Sequence, residues 1–248
     1  MCTLTFIPRD NGYCLAMNRD ERISRGPAAP PARIEVGGVA AIYPRDTEGG
    51  TWIAADARGI AFGLLNWHDP PAVGAKTRSR GDVIPALIGV PSSSDAQVVI
   101  DRINLNGVFP FRLVGIFPAE KLIHEWRWNR QALSAQAHPW KAGHWFSSGF
   151  SDEQARTQRG LACERAWEEN DAGSVAWLRR LHASHLNGPG PFSICVHRDG
   201  VETLSYTEIQ CAQEQVSCNY FSGTPCTMTK PTDSVALDRE PGSVVFQR

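Results

Sequence analysis

Residues 1–21 of the chain, MCTLTFIPRDNGYCLAMNRDE, contain two short apolar runs separated by a turn sequence. Between the runs, Asn11-Gly12 is typical of a tight hairpin turn, because these residues readily adopt the positive φ values that such a turn needs. We therefore predict a β-hairpin whose second strand carries Arg19 and Asp20 back beside Cys2.

Position two matters because removal of Met1 would give Cys2 a free α-amine in addition to its thiol. The amine titrates near ~8 and the thiol near ~8.5, so one residue could supply both a nucleophile and its base, as in N-terminal-nucleophile enzymes. The side chains of Asp20 and Arg19 would then hold the amine and tune the thiol. We expect the mature protein to begin at Cys2. The other interpretation is that Cys2 is an ordinary buried thiol among seven cysteines.

Composition excludes several classes of function. The 248 residues are 42% hydrophobic and 21% charged, enough for a substantial core, and we predict one domain over residues 1–248. A formal net charge of −1 offers no basic surface to nucleic acid. We expect no membrane span, because no apolar run approaches the ~20 residues that cross a bilayer, and the first residues lack the pattern of a secretory signal.

Cysteine and histidine spacing points to no resident metal or cofactor. Seven cysteines without a C-x-x-C pair are typical of reduced thiols in a cytoplasmic protein, and suggest neither a zinc ribbon nor a redox dithiol. His182 and His185 share one face of a predicted helix, but no third ligand follows the metalloprotease spacing. We interpret them as buried, hydrogen-bonded side chains or as cations near a helix C-terminus. The sequence does not indicate an oligomeric state.

Beyond the first hairpin, the pattern predicts strands followed by helices. A second hairpin joins residues 49–56 to residues 60–66, and its outgoing strand ends on Asn66. Three prolines predict a surface loop over residues 26–32. Helices should begin near Asp82 and at Ser94 or Asp95.

The rest of the chain adds strands, helices and strands in that order. A capping box at Ser151 begins a helix to about Asn170, and another helix runs from Ser174 to about Leu186. The tail beyond Lys230 is not assigned. Hairpins on both sides of a helical middle predict an α+β fold, a four-layer αββα sandwich. The predicted strands cover residues 111–117, 122–128, 145–148, 192–197, 202–210 and 215–222.

Five motifs occur together in an order that resembles a known family. They are Met1-Cys2, Asn18-Arg19-Asp20-Glu21, Gly49-Gly50-Thr51-Trp52, Leu65-Asn66 and Arg80-Gly81-Asp82. On these motifs the chain resembles the NRDE family, also called the transport and Golgi organisation 2 family, most densely over its first third. That family is similar to the N-terminal-nucleophile (Ntn) hydrolases of the choloylglycine hydrolase and penicillin acylase branch, which implies the same αββα sandwich.

The resemblance also implies roles for individual residues. Cys2 falls on the nucleophile, Asp20 on the aspartate that holds the α-amine, and Asn66 on the asparagine that donates to the oxyanion. The branch usually carries an arginine where this chain has Met17, and Arg19 could substitute for it. Two other positions depart from the branch. Its mid-chain asparagine would fall near Ser147 or Ser148, and its late arginine within residues 188–192, which contain no arginine.

Two functions follow from this resemblance. The first is an N-terminal cysteine amidohydrolase that cleaves a linear C–N (amide) bond in a small-molecule or acyl-amide substrate. The second is a non-catalytic carrier of haem or another apolar ligand, as implied by NRDE relatives linked to haem and lipid handling, and the missing late arginine favours it modestly. At single residues, Arg19 and Asp20 could instead form an exposed ion pair, and Asn66 could end a strand as a turn residue.

Overall fold

The structure is a computed structural model that describes residues 2–68, 78–186 and 188–240. Among these residues, two seven-stranded antiparallel sheets are present. In the first sheet the strands run in the order β10-β1-β2-β12-β13-β14, and β11 pairs with β12. Its strands are β1 (Cys2–Arg9), β2 (Gly12–Arg22), β10 (Gly143–Ser147), β11 (His197–Arg198), β12 (Val201–Cys211), β13 (Gln215–Ser222) and β14 (Asp233–Asp238).

The second sheet contains the middle of the chain, and its strands pair in sequence order. The three α-helices of the described residues lie outside the two sheets: α1 (Ser93–Arg102) packs on the second sheet, while α2 (Asp152–Ala166) and α3 (Val175–His182) pack on the first. The strands of the second sheet are β3 (Ala29–Val36), β4 (Val39–Arg45), β5 (Ile53–Asp56), β6 (Ala61–Asn66), β7 (Phe111–Phe117), β8 (Leu122–Trp128) and β9 (Leu133–Pro139).

A hydrophobic core fills the space between the sheets and makes this arrangement a four-layer αββα sandwich. Alternate residues of β1 and β2, such as Leu4, Phe6 and Leu15, face alternate residues of the second sheet, such as Ile53 and Leu65. This alternation follows from the period of two in a strand. The predicted fold is therefore confirmed. Within the described segments, no helix combines the length and apolar character needed to cross a membrane.

Local turn and cap chemistry explains which elements were predicted well. The predicted hairpin of β1 and β2 forms, but its turn differs: Arg9 pairs with Gly12, so the turn residues are Asp10 and Asn11 rather than Asn11-Gly12. The Ser151 side chain accepts a hydrogen bond from the Gln154 backbone N–H and caps α2, as the capping box predicts. Helices α2 and α3 end earlier than expected, at Ala166 and His182.

The predicted helix near Asp82 is wrong. Two 3₁₀ turns occupy this segment, Arg80–Asp82 and Pro85–Leu87. Pro85 has no backbone N–H to donate, and Gly89 adopts a φ of 85°. The segment between these two residues is too short for a regular α-helix. Ile84 and Leu87 are nevertheless buried under the second sheet.

The predicted surface loop over residues 26–32 is correct only for residues 26–28, because Ala29–Val36 forms β3 at an edge of the second sheet. The register with β4 shifts between Ala29 and Ala32, and Pro30 and Pro31 lie in this irregularity. An edge strand with a bulge is where a sheet tolerates proline. The strand predicted over residues 192–197 is reduced to β11 (His197–Arg198), and strands β4, β9 and β14 were not predicted.

Candidate active site

The first hairpin places Cys2 at the end of a central strand. In the sheet register, Cys2 lies opposite Arg19 of β2 on one side and opposite Ser147 of β10 on the other. Asp20 lies opposite Thr203 of β12, next to a register shift in that strand. Cys2 therefore begins β1 between two neighbouring strands. On β2, Asp20 follows Arg19, the residue that pairs with Cys2.

Alternation along the strands sends these side chains to opposite faces of the sheet. Cys2 belongs to the core between the sheets, and the Arg19 guanidinium carbon lies 4.7 Å from the Trp52 ring centroid on that same face. Asp20 instead contacts Arg159 of α2, on the helical face. The Asp20 carboxylate thus lies across the sheet from the Cys2 thiol, and both are close to the backbone at the start of β1.

All four residues predicted from sequence to form the site line one pocket. This pocket contains about 550 Å³ of empty space and is open to solvent. Its walls come from the ends of β1, β2 and β6 and from the loops before β5 and α1. The lining residues are Cys2, Arg19, Asp20, Glu21, Arg25, Asp46, Thr51, Trp52, Leu64, Asn66, Ser79, Arg80 and Gly81.

Asp20 and Arg159 form an ion pair in which both side chains are fully buried. One carboxylate oxygen, Oδ2, lies 3.6 Å from an Arg159 guanidinium nitrogen. The other, Oδ1, accepts a 2.6 Å hydrogen bond from the Thr203 hydroxyl. Burial raises the pKa of Asp20, and the Arg159 charge and the Thr203 hydrogen bond oppose this shift. The alternative of an exposed Arg19–Asp20 ion pair is wrong, because the two residues are only 6% and 2% exposed.

Arg159 is the principal residue of this site that the sequence analysis missed. Its guanidinium donates to the carbonyl oxygens of Cys2 (3.2 Å) and Ser147 (3.3 Å) and to the Thr3 hydroxyl (3.0 Å). It also donates to the carbonyl oxygen of Pro191 at 3.4 Å. The resemblance placed an arginine within residues 188–192; here a guanidinium reaches that segment from α2.

A signal for Arg159 was present in the sequence of α2. The buried residues of that helix are Ala155, Arg159, Ala162 and Cys163, which recur at the spacing of one helix face. An arginine on the buried stripe of an amphipathic helix needs a buried partner, because an unpaired buried charge is costly. The stripe could have been recognised, but the identity of its partner, Asp20, depends on tertiary packing.

The thiol of Cys2 is buried, with the residue 6% exposed. Burial raises its pKa, and a hydrogen bond from the backbone of Asp20 opposes that shift. Since burial dominates, the thiol would need a nearby base to become a nucleophile. Met1 lies outside the described residues, so its removal stays a prediction.

Arg80 adds a cation to the pocket from a segment that we interpreted only as the start of a helix. Burial lowers its pKa to about 10, so it stays charged at neutral pH. Its guanidinium donates to the Pro110 carbonyl oxygen at 3.2 Å, and no carboxylate among the described residues forms an ion pair with it. Arg25, by contrast, forms ion pairs with Glu21, Asp46 and Glu48.

A close contact between two glycines forms one wall of the pocket. The Thr51 backbone N–H donates to the Gly81 carbonyl oxygen at 3.2 Å. A Cβ atom on Gly50 would lie 2.9 Å from the Gly81 Cα, and a Cβ on Gly81 would lie equally near the Gly50 Cα. Gly50 and Gly81 therefore permit a close approach of the two backbones that a side chain at either position would block.

Asn18, which precedes Arg19 and Asp20 in the sequence, connects β2 to the residues at the end of α3. Its amide group donates to the carbonyl oxygens of His182 and Ile194, and its side-chain oxygen lies 3.0 Å from the His182 ring. The other ring nitrogen of His182 lies 3.0 Å from the Thr5 hydroxyl. His182 is fully buried and hydrogen-bonded, as one of the two sequence interpretations expected. Within the described segments, donors close enough to hold a metal occur outside this pocket, at His185, Cys195, His197 and Cys226.

Solved structures with the same fold are Ntn hydrolases. One is a penicillin V acylase from Agrobacterium tumefaciens, with a TM-score of 0.56 and 12% sequence identity, covering 96% of this chain and 86% of that chain. Another is the C2A mutant of a conjugated bile acid hydrolase from Clostridium perfringens, with a TM-score of 0.57 and 9% identity, covering 96% of this chain and 92% of that chain. At these identities the likeness shows the fold alone.

Sequence comparison places the chain more closely. No curated protein matches it significantly. A family model described as transport and Golgi organisation 2 matches residues 1–176, a range that includes Cys2, Asp20, Asn66 and Arg159. Since this match covers more than half of the sequence and agrees with the motifs and the fold, the chain belongs to the transport and Golgi organisation 2 family.

Proposed function

We propose that this protein is an N-terminal cysteine amidohydrolase that cleaves a linear amide bond. The observation that carries the proposal is the arrangement at the start of β1. Cys2 and Asp20 line the same pocket. The Cys2 thiol faces the core between the sheets, and the buried Asp20 carboxylate pairs with Arg159 on the helical face. A carboxylate in this position would lie near an α-amine at the start of β1, and Ntn hydrolases use such an amine as their base.

In the proposed reaction, the Cys2 α-amine accepts the proton of the thiol. The amine titrates near ~8, so it is available as a base around neutral pH, whereas the buried thiol does not ionise readily without one. The thiolate attacks the substrate carbonyl, and the C–N bond breaks as the amine returns the proton to the leaving nitrogen. Water then hydrolyses the Cys2 thioester with the same amine as its base.

Asp20 and Asn66 would support the two charged species in this sequence. Asp20 would hold the α-amine through its carboxylate, while Arg159 and Thr203 fix the carboxylate from below. Asn66 ends β6 at the pocket and would donate its amide to the oxyanion, an interaction that stabilises the transition state in acyl transfer.

The charges in the pocket favour a substrate with a carboxylate near the scissile amide. Arg25 is already neutralised by three acidic side chains, whereas Arg80 forms no ion pair with the described residues and lines the pocket beside Cys2. A half-buried arginine without a carboxylate partner among the described residues suits an anionic group of a ligand. N-acyl amino acids have this chemistry.

The same charges argue against a carrier of haem or an acyl chain. Sites for apolar ligands are lined mostly by hydrophobic side chains, but six of the residues that line this pocket are charged, and Trp52 and Leu64 are its main apolar groups. The carrier alternative therefore has less support from the pocket than the hydrolase.

The test is hydrolysis of a panel of N-acyl amino acids and matched uncharged N-acyl amides by protein whose N-terminus has been verified by intact mass. We expect faster hydrolysis of the anionic amides, and complete loss of activity in Cys2→Ala but not in the control Cys163→Ala. Arg80→Met should lower kcat/KM for the anionic amides by about 10- to 100-fold, the loss of one charge-assisted hydrogen bond. It should leave the uncharged amides nearly unaffected.

Three results would count against the proposal. The first is absence of hydrolysis across the panel by protein that begins at Cys2. The second is hydrolysis that survives in Cys2→Ala. The third is tight haem binding in this pocket, seen as a titration that Arg80→Met and Cys2→Ala both change, which would favour the carrier.

A further inference from the structure

Two histidines and two cysteines meet at the end of α3, away from the pocket of Cys2. His185 follows the helix, Cys195 and His197 lie on the segment that enters β11, and Cys226 lies in the 3₁₀ turn Pro225–Thr227. One donor atom from each residue lies within 4.8 Å of every other. All four residues lie beyond residue 176, where the match to the family ends.

The distances inside this cluster are close to those of a metal site. The Sγ atoms of Cys195 and Cys226 lie 3.6 Å and 3.4 Å from the same nitrogen of His197, Nε2. In a tetrahedral zinc site with Zn–S of ~2.3 Å and Zn–N of ~2.1 Å, sulfur and nitrogen ligands lie about 3.6 Å apart. The rings of His185 and His197 are tilted, with centroids 4.8 Å apart.

Hydrogen bonding within the cluster leaves donors and acceptors unmatched. A single imidazole nitrogen cannot form a strong hydrogen bond with both thiols, although both are near His197 Nε2. The buried Nε2 of His185 has no hydrogen-bond partner among the residues that the structure describes. Buried polar atoms are normally satisfied, so an unpartnered one needs an explanation.

We propose that His185, Cys195, His197 and Cys226 bind one Zn²⁺ ion as a structural site. Two thiolates and two neutral imidazoles are a typical tetrahedral ligand set for zinc. Binding would release one proton from each thiol, so the four ligands and the ion form a neutral centre. The bound ion would accept the lone pair of a His185 nitrogen and satisfy both sulfur atoms at once.

The site would connect three segments that have little regular structure between them. The described residues of segment 183–196 form no helix and no strand. The segment therefore lacks the regular backbone hydrogen bonds of secondary structure. Val196 lies between two of the ligands, and its backbone N–H donates to the Thr203 hydroxyl at 2.8 Å. That hydroxyl donates to Asp20. A bound ion would therefore also hold the segment that supports the Asp20 carboxylate.

The test is the metal content and metal affinity of untagged protein kept under reductant. We expect about one zinc per chain by elemental mass spectrometry, and a dissociation constant of about 10⁻⁷ M or tighter for the chelator-stripped protein titrated with Zn²⁺. Co²⁺ added in place of zinc should give the visible spectrum of a tetrahedral site with thiolate-to-cobalt charge transfer. Chelation should lower Tm.

Cys226→Ala is the matched variant, because Cys226 is exposed and its loss should leave the fold intact by circular dichroism. We expect it to lose the stoichiometric zinc and to bind Zn²⁺ at least ~100-fold more weakly, while Cys163→Ala and Cys2→Ala retain the metal. His185→Asn should behave like Cys226→Ala. The proposal is overturned by zinc content that Cys226→Ala does not change, by wild-type protein that binds no zinc, or by a Cys195–Cys226 disulfide that persists in reductant.

Discussion

Replacing Asp20 by Asn tests the buried ion pair beneath the pocket and the proposed chemistry above it. The substitution preserves size and still lets Oδ1 accept from the Thr203 hydroxyl, but it removes the charge that faces Arg159. At 3.6 Å between Oδ2 and the guanidinium nitrogen, the attraction is about 4–5 kcal/mol at an effective dielectric constant of ~20.

The loss of stability should be smaller than this attraction. Arg159 keeps its contacts with the carbonyl oxygens of Cys2, Ser147 and Pro191, so both of its terminal guanidinium nitrogens stay hydrogen-bonded after the substitution. Breaking a buried pair by removing one partner typically costs ~3–5 kcal/mol, and we expect Asp20→Asn to lie at the lower end, about 3 kcal/mol.

The assay is urea unfolding at pH 7 followed by tryptophan fluorescence, in a double-mutant cycle with Arg159→Met. We expect a coupling free energy of about 2 kcal/mol or more, because the double variant no longer buries an unpaired charge. A coupling below about 0.5 kcal/mol would refute the argument that the two charges depend on each other.

Amide turnover separates the structural role of Asp20 from its proposed catalytic role. Below the melting temperature, Asp20→Asn should lower kcat by at least ~10²-fold, as expected when an acid–base group loses its support. The double variant should regain stability without regaining turnover. Recovery of both together would mean that Asp20 acts only on the fold.

Three further predictions concern the backbone, the pH dependence and the oxyanion. Gly50→Ala should lose about 1–3 kcal/mol of stability, because its Cβ would lie 2.9 Å from the backbone of Gly81. Gly160→Ala on α2 should gain about 0.5–1 kcal/mol, because an added Cβ there meets no atom within 4 Å. Burial lowers the pKa of His182 to about 3, so the folded protein keeps it neutral while the unfolded chain takes up a proton below pH ~6.5. Neutral, buried His182 therefore contributes fully to stability above pH ~6.5, and at pH 5 the free energy of unfolding should be lower by about 2 kcal/mol. Urea unfolding at the two pH values should show that the His182→Gln variant lacks this decrease of about 2 kcal/mol. Asn66→Ala should lower kcat by about 10²–10³-fold and change Tm little, since the half-buried Asn66 side chain lines the pocket.

Elements governed by local chemistry could be predicted from the sequence. The polar turn segment between the two apolar runs is sufficient to predict the hairpin of β1 and β2, which brings Cys2 beside Arg19. The two turn residues are displaced by one position from the predicted Asn11-Gly12. The strands β7, β8 and β13 match their predicted bounds. Each of these strands lies between two turns that the sequence indicates. In each case the information lies within a few residues of the element.

Features that depend on distant partners could not be predicted in this way. The proline-containing β3 is a strand because β4 offers it an edge, although its own residues predict a loop. Arg159 meets Cys2 and Asp20 across well over a hundred residues of sequence, and only the packing of α2 on the first sheet brings them together. Arg80 reaches the pocket through the Gly50–Gly81 contact, which no local pattern indicates.

A mass measurement tests whether Cys2 becomes a covalent nucleophile once it is the first residue. Native protein would be incubated briefly with an N-acyl amino acid, quenched in acid, and analysed intact and after proteolysis. We predict a mature chain that begins at Cys2 and carries one acyl group on that residue, with no adduct in Cys2→Ala. Retained Met1, or an acyl group found on another residue while Cys2 stays unmodified, would show that Cys2 is not the nucleophile.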